Sequence, residues 1–169
     1  MTALVLDASA ALALLRGDAG AGEVHRLLRD QALAAEPILV PGLFWLEIVN
    51  VLAHRYRYPP DAIVEAVYEL ERAGVATAEA GRPGVLAVID GIGRSGLTAY
   101  DAAYFVLAES TDARLLTADA VLASAAGDRA ILIGGGSEVA ESRQRYAASG
   151  SWASWKGAAG YLAELRRAL

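Results

Sequence analysis

Cysteine is absent from this 169-residue chain, histidine occurs twice and lysine once. The first absence removes thiol nucleophiles, disulfides, iron–sulfur clusters and thiolate zinc sites. With only His25 and His54, neither a histidine-rich zinc site nor a two-histidine H-E-x-x-H helix can be built. Lys156 follows no glycine-rich loop, which excludes a phosphate-cradling P-loop. No uncharged apolar run approaches the ~18 residues of a membrane span. The opening Met1-Thr2-Ala3-Leu4-Val5-Leu6-Asp7 lacks a basic stretch and meets an acid early, unlike a signal peptide. A cytoplasmic protein with no membrane partner is the expectation, and its chemistry must rest on carboxylates, hydroxyls, arginine or a hard metal ion.

What is present is apolar. Hydrophobic residues make up 55% of the chain and charged ones 21%, a balance that argues for a packed core rather than disorder. One domain is the default at this length. The net charge of −5 argues against broad nonspecific binding to nucleic acid, since neutralising phosphate needs a basic surface. It leaves room for a nuclease with a local basic patch.

Short apolar runs alternate with helical ones. Leu4–Leu6, Ile38–Val40, Val75–Thr77, Arg114–Thr117 and Ala130–Ile133 read as strands. Helices are expected at Ala10–Arg16 with Ser9 as N-cap, and at Glu23–Ala34, Pro60–Ala73, Pro83–Ile92, Thr98–Ser110 and Ala120–Ala126. Leu43–Tyr56 reads as one further helix, apolar nearly all round and therefore buried. Strands alternating with helices imply parallel βαβ units, so the fold class is α/β, an open parallel sheet flanked by helices. Gly134-Gly135-Gly136 marks a composition break. Residues 1–136 hold 10 basic and 17 acidic side chains, whereas residues 137–169 hold 5 and 3. The net charge therefore changes sign there, and the division is a domain over 1–136 with an appended C-terminal helical tail over 137–169.

In an open parallel sheet, ligands bind beyond the carboxyl ends of the strands. Asp7 closes the first strand and Asp119 follows the fourth. Either alone serves equally well as a helix cap; together, adjacent strands would carry both to one rim. Glu47 is a lone acid among Leu43-Phe44-Trp45-Leu46 and Ile48-Val49. It shares a helical stripe with Asn50 and His54, which is either the solvent face or the lining of a cleft. Asp101 stands three residues after Thr98, near capping-box spacing, where the helix dipole favours an ionised carboxylate. Four converging carboxylates repel unless a cation intervenes. Hard oxygen donors select Mg²⁺ or Mn²⁺, and such a site suits phosphodiester hydrolysis.

The runs Leu4-Val5-Leu6-Asp7-Ala8-Ser9-Ala10, Trp45-Leu46-Glu47-Ile48-Val49-Asn50-Val51-Leu52, Leu97-Thr98-Ala99-Tyr100-Asp101-Ala102-Ala103-Tyr104 and Leu116-Thr117-Ala118-Asp119-Ala120-Val121-Leu122 together resemble PIN-domain proteins, above all the VapC-type toxins of bacterial toxin–antitoxin pairs. Each run alone is weak; four in this order are specific. The resemblance implies a PIN-like fold and a Mg²⁺- or Mn²⁺-dependent endoribonuclease. It maps the catalytic, metal-binding acids onto Asp7, Glu47, Asp101 and Asp119. By the same likeness Thr117 hydrogen-bonds within the site and Asn50 supports Glu47, and a cognate antitoxin and a homodimer are implied. The likeness covers about Ala3 to Ile133 and has no counterpart for the tail.

Two basic-aromatic clusters have two readings each. In His54-Arg55-Tyr56-Arg57-Tyr58 the cations suit either a helix C-terminus or RNA docking by Arg55 and Arg57, since the cluster continues the helix bearing Glu47. In the tail, Trp152, Trp155 and Tyr161 either pack on the domain or line a strand of RNA beside Arg143, Arg145, Lys156, Arg166 and Arg167. A PIN-like RNA-processing nuclease that is not a toxin, and a non-catalytic binding module, are the competing functions. A phosphorylation receiver would want paired acids near the first strand and a lysine after a late one. A haloacid-dehalogenase-like phosphatase would want an aspartate where Ser9 stands. Neither pattern is met.

Overall fold

Three short apolar segments meet at the centre of the molecule. In the computed structural model, which describes residues 2–134, β1 (Leu4–Leu6) pairs in parallel with β2 (Ile38–Pro41) on one side and β4 (Arg114–Thr117) on the other. β3 (Val75–Ala78) and β5 (Ala130–Leu132) form the two edges, giving the order β3-β2-β1-β4-β5 with every pairing parallel. All three residues of β1 are buried. A strand covered on both faces has no polar side to show, hence the uninterrupted Leu-Val-Leu.

Among the described residues seven α-helices flank the sheet: α1 (Ala8–Arg16), α2 (Ala21–Leu33), α3 (Leu43–Asn50), α4 (Pro60–Arg72), α5 (Gly81–Ser95), α6 (Ala99–Ser110) and α7 (Ala120–Ala126). The expected α/β class and parallel sheet are therefore present. None of these helices is long and apolar enough to cross a membrane. The tail over 137–169, with its aromatic and basic residues, lies outside the described residues.

Local chemistry accounts for most of the boundaries. α1 ends at Gly17, whose φ of 67° is the left-handed conformation glycine adopts at little cost. The N–H groups of Gly17 and Asp18 donate to Leu14 and Ala13, closing the last turn of the helix. α4 opens with Pro60 and Asp61 and carries Arg72 in its last turn, matching both ends of its dipole.

Three expectations need correction. Ser9 is not an N-cap: the helix starts two residues earlier, with Asp7 in the cap position and Ser9 already inside α1. The segment over 43–56 is not one α-helix, because α3 gives way to a π-helical turn over Val51–Arg55. Nor is it buried all round. Phe44, Ile48 and Leu52 enter the core, while Leu46 is 64% exposed. The wider π turn rotates later side chains off the α-helical line, so His54 is exposed while Glu47 and Asn50 are half-buried. The helix expected over Pro83–Ile92 extends to Gly81–Ser95.

α6 lies across β1, β2 and β4, and α5 packs against its outer side as the other arm of a helical hairpin. Gly91 makes that approach possible. A Cβ there would fall 2.5 Å from Cγ2 of Val106. Gly91→Val should therefore lower stability by about 1–3 kcal/mol through overpacking, read as a reduced denaturation midpoint at unchanged slope. Arg94 closes the hairpin, bonding Asp90 at 2.9 Å and Glu109 at 2.7 Å. The guanidinium holds the Glu109 carboxyl below its usual range. A depressed acid stabilises the fold above its unfolded pKa and stops doing so as pH falls through the folded one. Glu109→Gln should cost under about 1 kcal/mol at pH 7, as exposed pairs do, and the cost should fade in urea titrations as pH falls below the usual carboxylate range.

Candidate active site

β1 is the point where the chain order in the sheet reverses, with β2 on one flank and β4 on the other. Such a switch point opens a crevice at the carboxyl edge. Asp7 leaves β1 there, its N–H donating to the Leu116 carbonyl of β4 at 2.9 Å. Two residues beyond β4, Asp119 emerges at the same edge. Parallel pairing of Leu6 with Leu116 brings these two acids, over a hundred residues apart in the chain, onto neighbouring strand ends.

Hydroxyls tie the pair together. The carboxylate oxygen Oδ2 of Asp7 accepts from Ser9 Oγ and, at 2.7 Å, from Thr117 Oγ1. Each hydroxyl is itself an acceptor: Ser9 Oγ takes the N–H of Ala118 at 2.8 Å, and Thr117 Oγ1 takes the N–H of Asp119 at 2.9 Å. The β4–α7 turn thus reaches Asp7 through two relayed hydrogen bonds. With one proton per hydroxyl, both directed at Asp7, the 3.2 Å approach of Ser9 Oγ to Thr117 Oγ1 is a packing contact. Asp7, Ser9, Thr117 and Asp119 are all buried.

The other two acids stand on α6 and α3. Asp101 is buried in the first turn of α6. Its N–H donates to Thr98 Oγ1 at 3.2 Å, and the Thr98 hydroxyl donates to Asp101 Oδ2 at 2.7 Å, a near relative of the capping box. Glu47, half-buried on α3, accepts a hydrogen bond from the hydroxyl of Tyr104, one turn after Asp101 on α6. Asn50, half-buried, is the last residue of α3. Arg55, the last residue of the π turn, and Arg57 just beyond it are exposed, with Arg57 at a φ of 57°.

Helix dipoles make this gathering of acids tolerable. Asp7 caps α1, Asp119 caps α7 through the N–H groups of Val121 (2.8 Å) and Leu122 (3.1 Å), and Asp101 sits in the first turn of α6. Each carboxylate meets the positive end of a helix. Among the described residues no three of the acids enclose one common point as they stand. The donor set is nonetheless oxygen throughout. Mg²⁺ typically takes one or two carboxylates and completes its shell with water and substrate phosphate, so these residues fit a hard divalent cation.

Sequence reasoning missed two residues here, Ser9 and Tyr104. Ser9 was read as a helix cap; the hydroxyl two residues after a strand-end aspartate was the available signal. Nothing local marked Tyr104, whose partner lies 57 positions away.

The family model for the PIN domain matches residues 4–128. The crystal structure of PAE2754 from Pyrobaculum aerophilum superposes with a TM-score of 0.57 at 24% identity, over 87% of this chain and 96% of that one. The crystal structure of VapC20 from Mycobacterium tuberculosis, a sarcin–ricin loop cleaving toxin, gives a TM-score of 0.54 at 18% identity, over 72% of this chain and 94% of that one. At these identities the likeness is one of fold. No curated protein matches the chain.

Ser9→Ala should strip Asp7 of a donor and leave the Ala118 N–H without its acceptor. A loss of about 1–3 kcal/mol in urea unfolding is expected, the cost of an unsatisfied buried polar group.

Proposed function

Because the chain belongs to the PIN-domain family, whose members are generally nucleases, we propose that it is a metal-dependent endoribonuclease acting as the toxin of a toxin–antitoxin pair. The observation that carries this reading is the joining of Asp7 to Asp119 across the β1–β4 pairing by the Thr117 hydroxyl, at the switch point of a sheet whose segment fits the family model. The toxin role is supported by the fold likeness to VapC20. A cognate antitoxin, a homodimer and a cytoplasmic setting belong to the same proposal.

Asp7, Glu47, Asp101 and Asp119 would hold Mg²⁺ or Mn²⁺. When bound, the cation supplies Lewis acidity toward the phosphoryl oxygen, lowers the pKa of an attacking water and offsets repulsion between the acids and the phosphate. The chain's own part is positional. The hydroxyls of Ser9 and Thr117 orient Asp7, the first turn of α7 orients Asp119, and Thr98 orients Asp101. Preorganised ligands meet an incoming phosphate without first collapsing onto one another. The exposed Arg55 and Arg57 supply positive charge for the RNA backbone in an otherwise acidic chain.

Asp101→Asn keeps the shape of the side chain and one acceptor for the Thr98 hydroxyl. With Mn²⁺ or Mg²⁺, the wild type should cleave RNA, EDTA should stop it, and the variant should be slower by at least about 100-fold, the low end for one positioned catalytic group. Expression of the wild type should arrest bacterial growth while the variant does not. Cleavage by the variant at the parental rate would remove Asp101 from the site, and harmless expression of an active wild type would remove the toxin role.

A further inference from the structure

Among the four acids, Glu47 is the one that does not stand at a helix start. Asp7, Asp101 and Asp119 each accept a donor from within three residues along the chain, at a helix start where N–H groups are to spare. Glu47 lies inside α3, where backbone N–H groups are committed to the helix. It is also the longer side chain, with one more rotatable bond to immobilise. The donor seen on it comes from another element altogether, the hydroxyl of Tyr104 on α6.

Tyr104 is suited to hold something in place. It is fully buried, and its neighbours on the inner face of α6 include Ala102, Phe105 and Ala108. A phenylalanine would satisfy those apolar contacts equally well. The oxygen is what distinguishes tyrosine there, and burying a hydroxyl is unfavourable unless it finds a partner. Helical side chains lean toward the N-terminus of their helix, so this ring inclines toward the turn carrying Asp101. Asp101 and Tyr104, three residues apart, share a face of α6. One helix therefore contributes a carboxylate to the edge and also a rigid donor that grips a second carboxylate from α3.

We propose that Tyr104 is a positioning residue that sets divalent-cation affinity by fixing the Glu47 carboxylate relative to Asp101. This rests on the metal-dependent reading of the site. Tyr104 acts through Glu47, its hydroxyl donating to Oε2 of that carboxylate. A partner behind a metal ligand typically changes affinity roughly 10–100-fold.

The test is a double-mutant cycle read by Mn²⁺ binding, with the free ion followed by electron paramagnetic resonance. Tyr104→Phe keeps the packed ring and should melt within a few degrees of the wild type, yet bind Mn²⁺ roughly 10-fold more weakly. Glu47→Gln should weaken binding at least as much. Adding Tyr104→Phe to Glu47→Gln should then change nothing further, because the hydroxyl acts only through that carboxylate. Incorporating 3-fluorotyrosine at position 104, which restores the hydroxyl, should recover wild-type affinity. A purely packing role for Tyr104 predicts equal effects in both backgrounds and would overturn the proposal. If Glu47→Gln weakens Mn²⁺ binding and Tyr104→Phe does not, the proposal fails alone. If neither Glu47→Gln nor Asp101→Asn alters binding, the metal-site reading fails and takes the proposal with it.

Discussion

Gathering carboxylates at one place is electrostatically unfavourable, and the rest of this structure can be understood as the means of tolerating it. Coulomb repulsion between buried like charges rises steeply as they leave water. The fold answers by placing each buried acid where positive potential already exists. Asp7 and Asp119 cap α1 and α7, and Asp101 occupies the first turn of α6. An all-parallel sheet guarantees this arrangement. Helices that follow strands begin at the carboxyl edge, and α6, which runs back before β4, begins there as well. The same topology that makes a crevice also surrounds it with helix N-termini.

Hydroxyl groups perform the finer work. Ser9 and Thr117 each accept a backbone N–H from the β4–α7 turn and pass a hydrogen bond to Asp7. The turn that positions Asp119 is thereby registered against the strand end that positions Asp7. Such relays are stringent, because a buried polar group that loses its partner costs more than the bond contributed. They also restrict the orientation of the carboxylate, which matters more for a ligand than its mere presence. The Glu47–Tyr104 link does for the helical half of the site what Thr117 does for the strand half. It joins α3 to α6 without demanding local donors that a mid-helix residue cannot have.

Placing the chain in the PIN-domain family gives these observations a common purpose. A nuclease site made of oxygen donors needs acids held apart enough to avoid collapse and near enough to share a cation's coordination shell with phosphate and water. Hydrogen bonds from fixed hydroxyls and helix N–H groups fix where each of these acids stands. The likeness to PAE2754 and VapC20 extends to the fold, while the chemistry rests on this chain's own side chains.

Much was legible in the sequence because it depends on short-range physics. The apolar runs of β1 and β4, Gly17 ending α1 and Thr98 opening α6 follow from burial, glycine's access to positive φ and side-chain capping, all acting within a few residues. The four acids stood out for the same reason, each beside a strand end or in an apolar helix. Ser9 was misread because a serine beside a helix start is chemically competent as a cap, and only the β1–β4 pairing reveals that its hydroxyl is claimed by Asp7 and Ala118. The π turn after α3 was invisible, since composition over 43–56 suits an uninterrupted helix and the departure is a matter of packing. Tyr104 could not be assigned to Glu47 from either local pattern. The sequence by itself determined which residue types were available and which segments would be strands and helices. The tertiary structure alone decided which hydroxyl meets which carboxylate, because a hydrogen bond needs its partners within about 3 Å, and only the folded sheet and its helices set that distance between residues 57 and 110 positions apart.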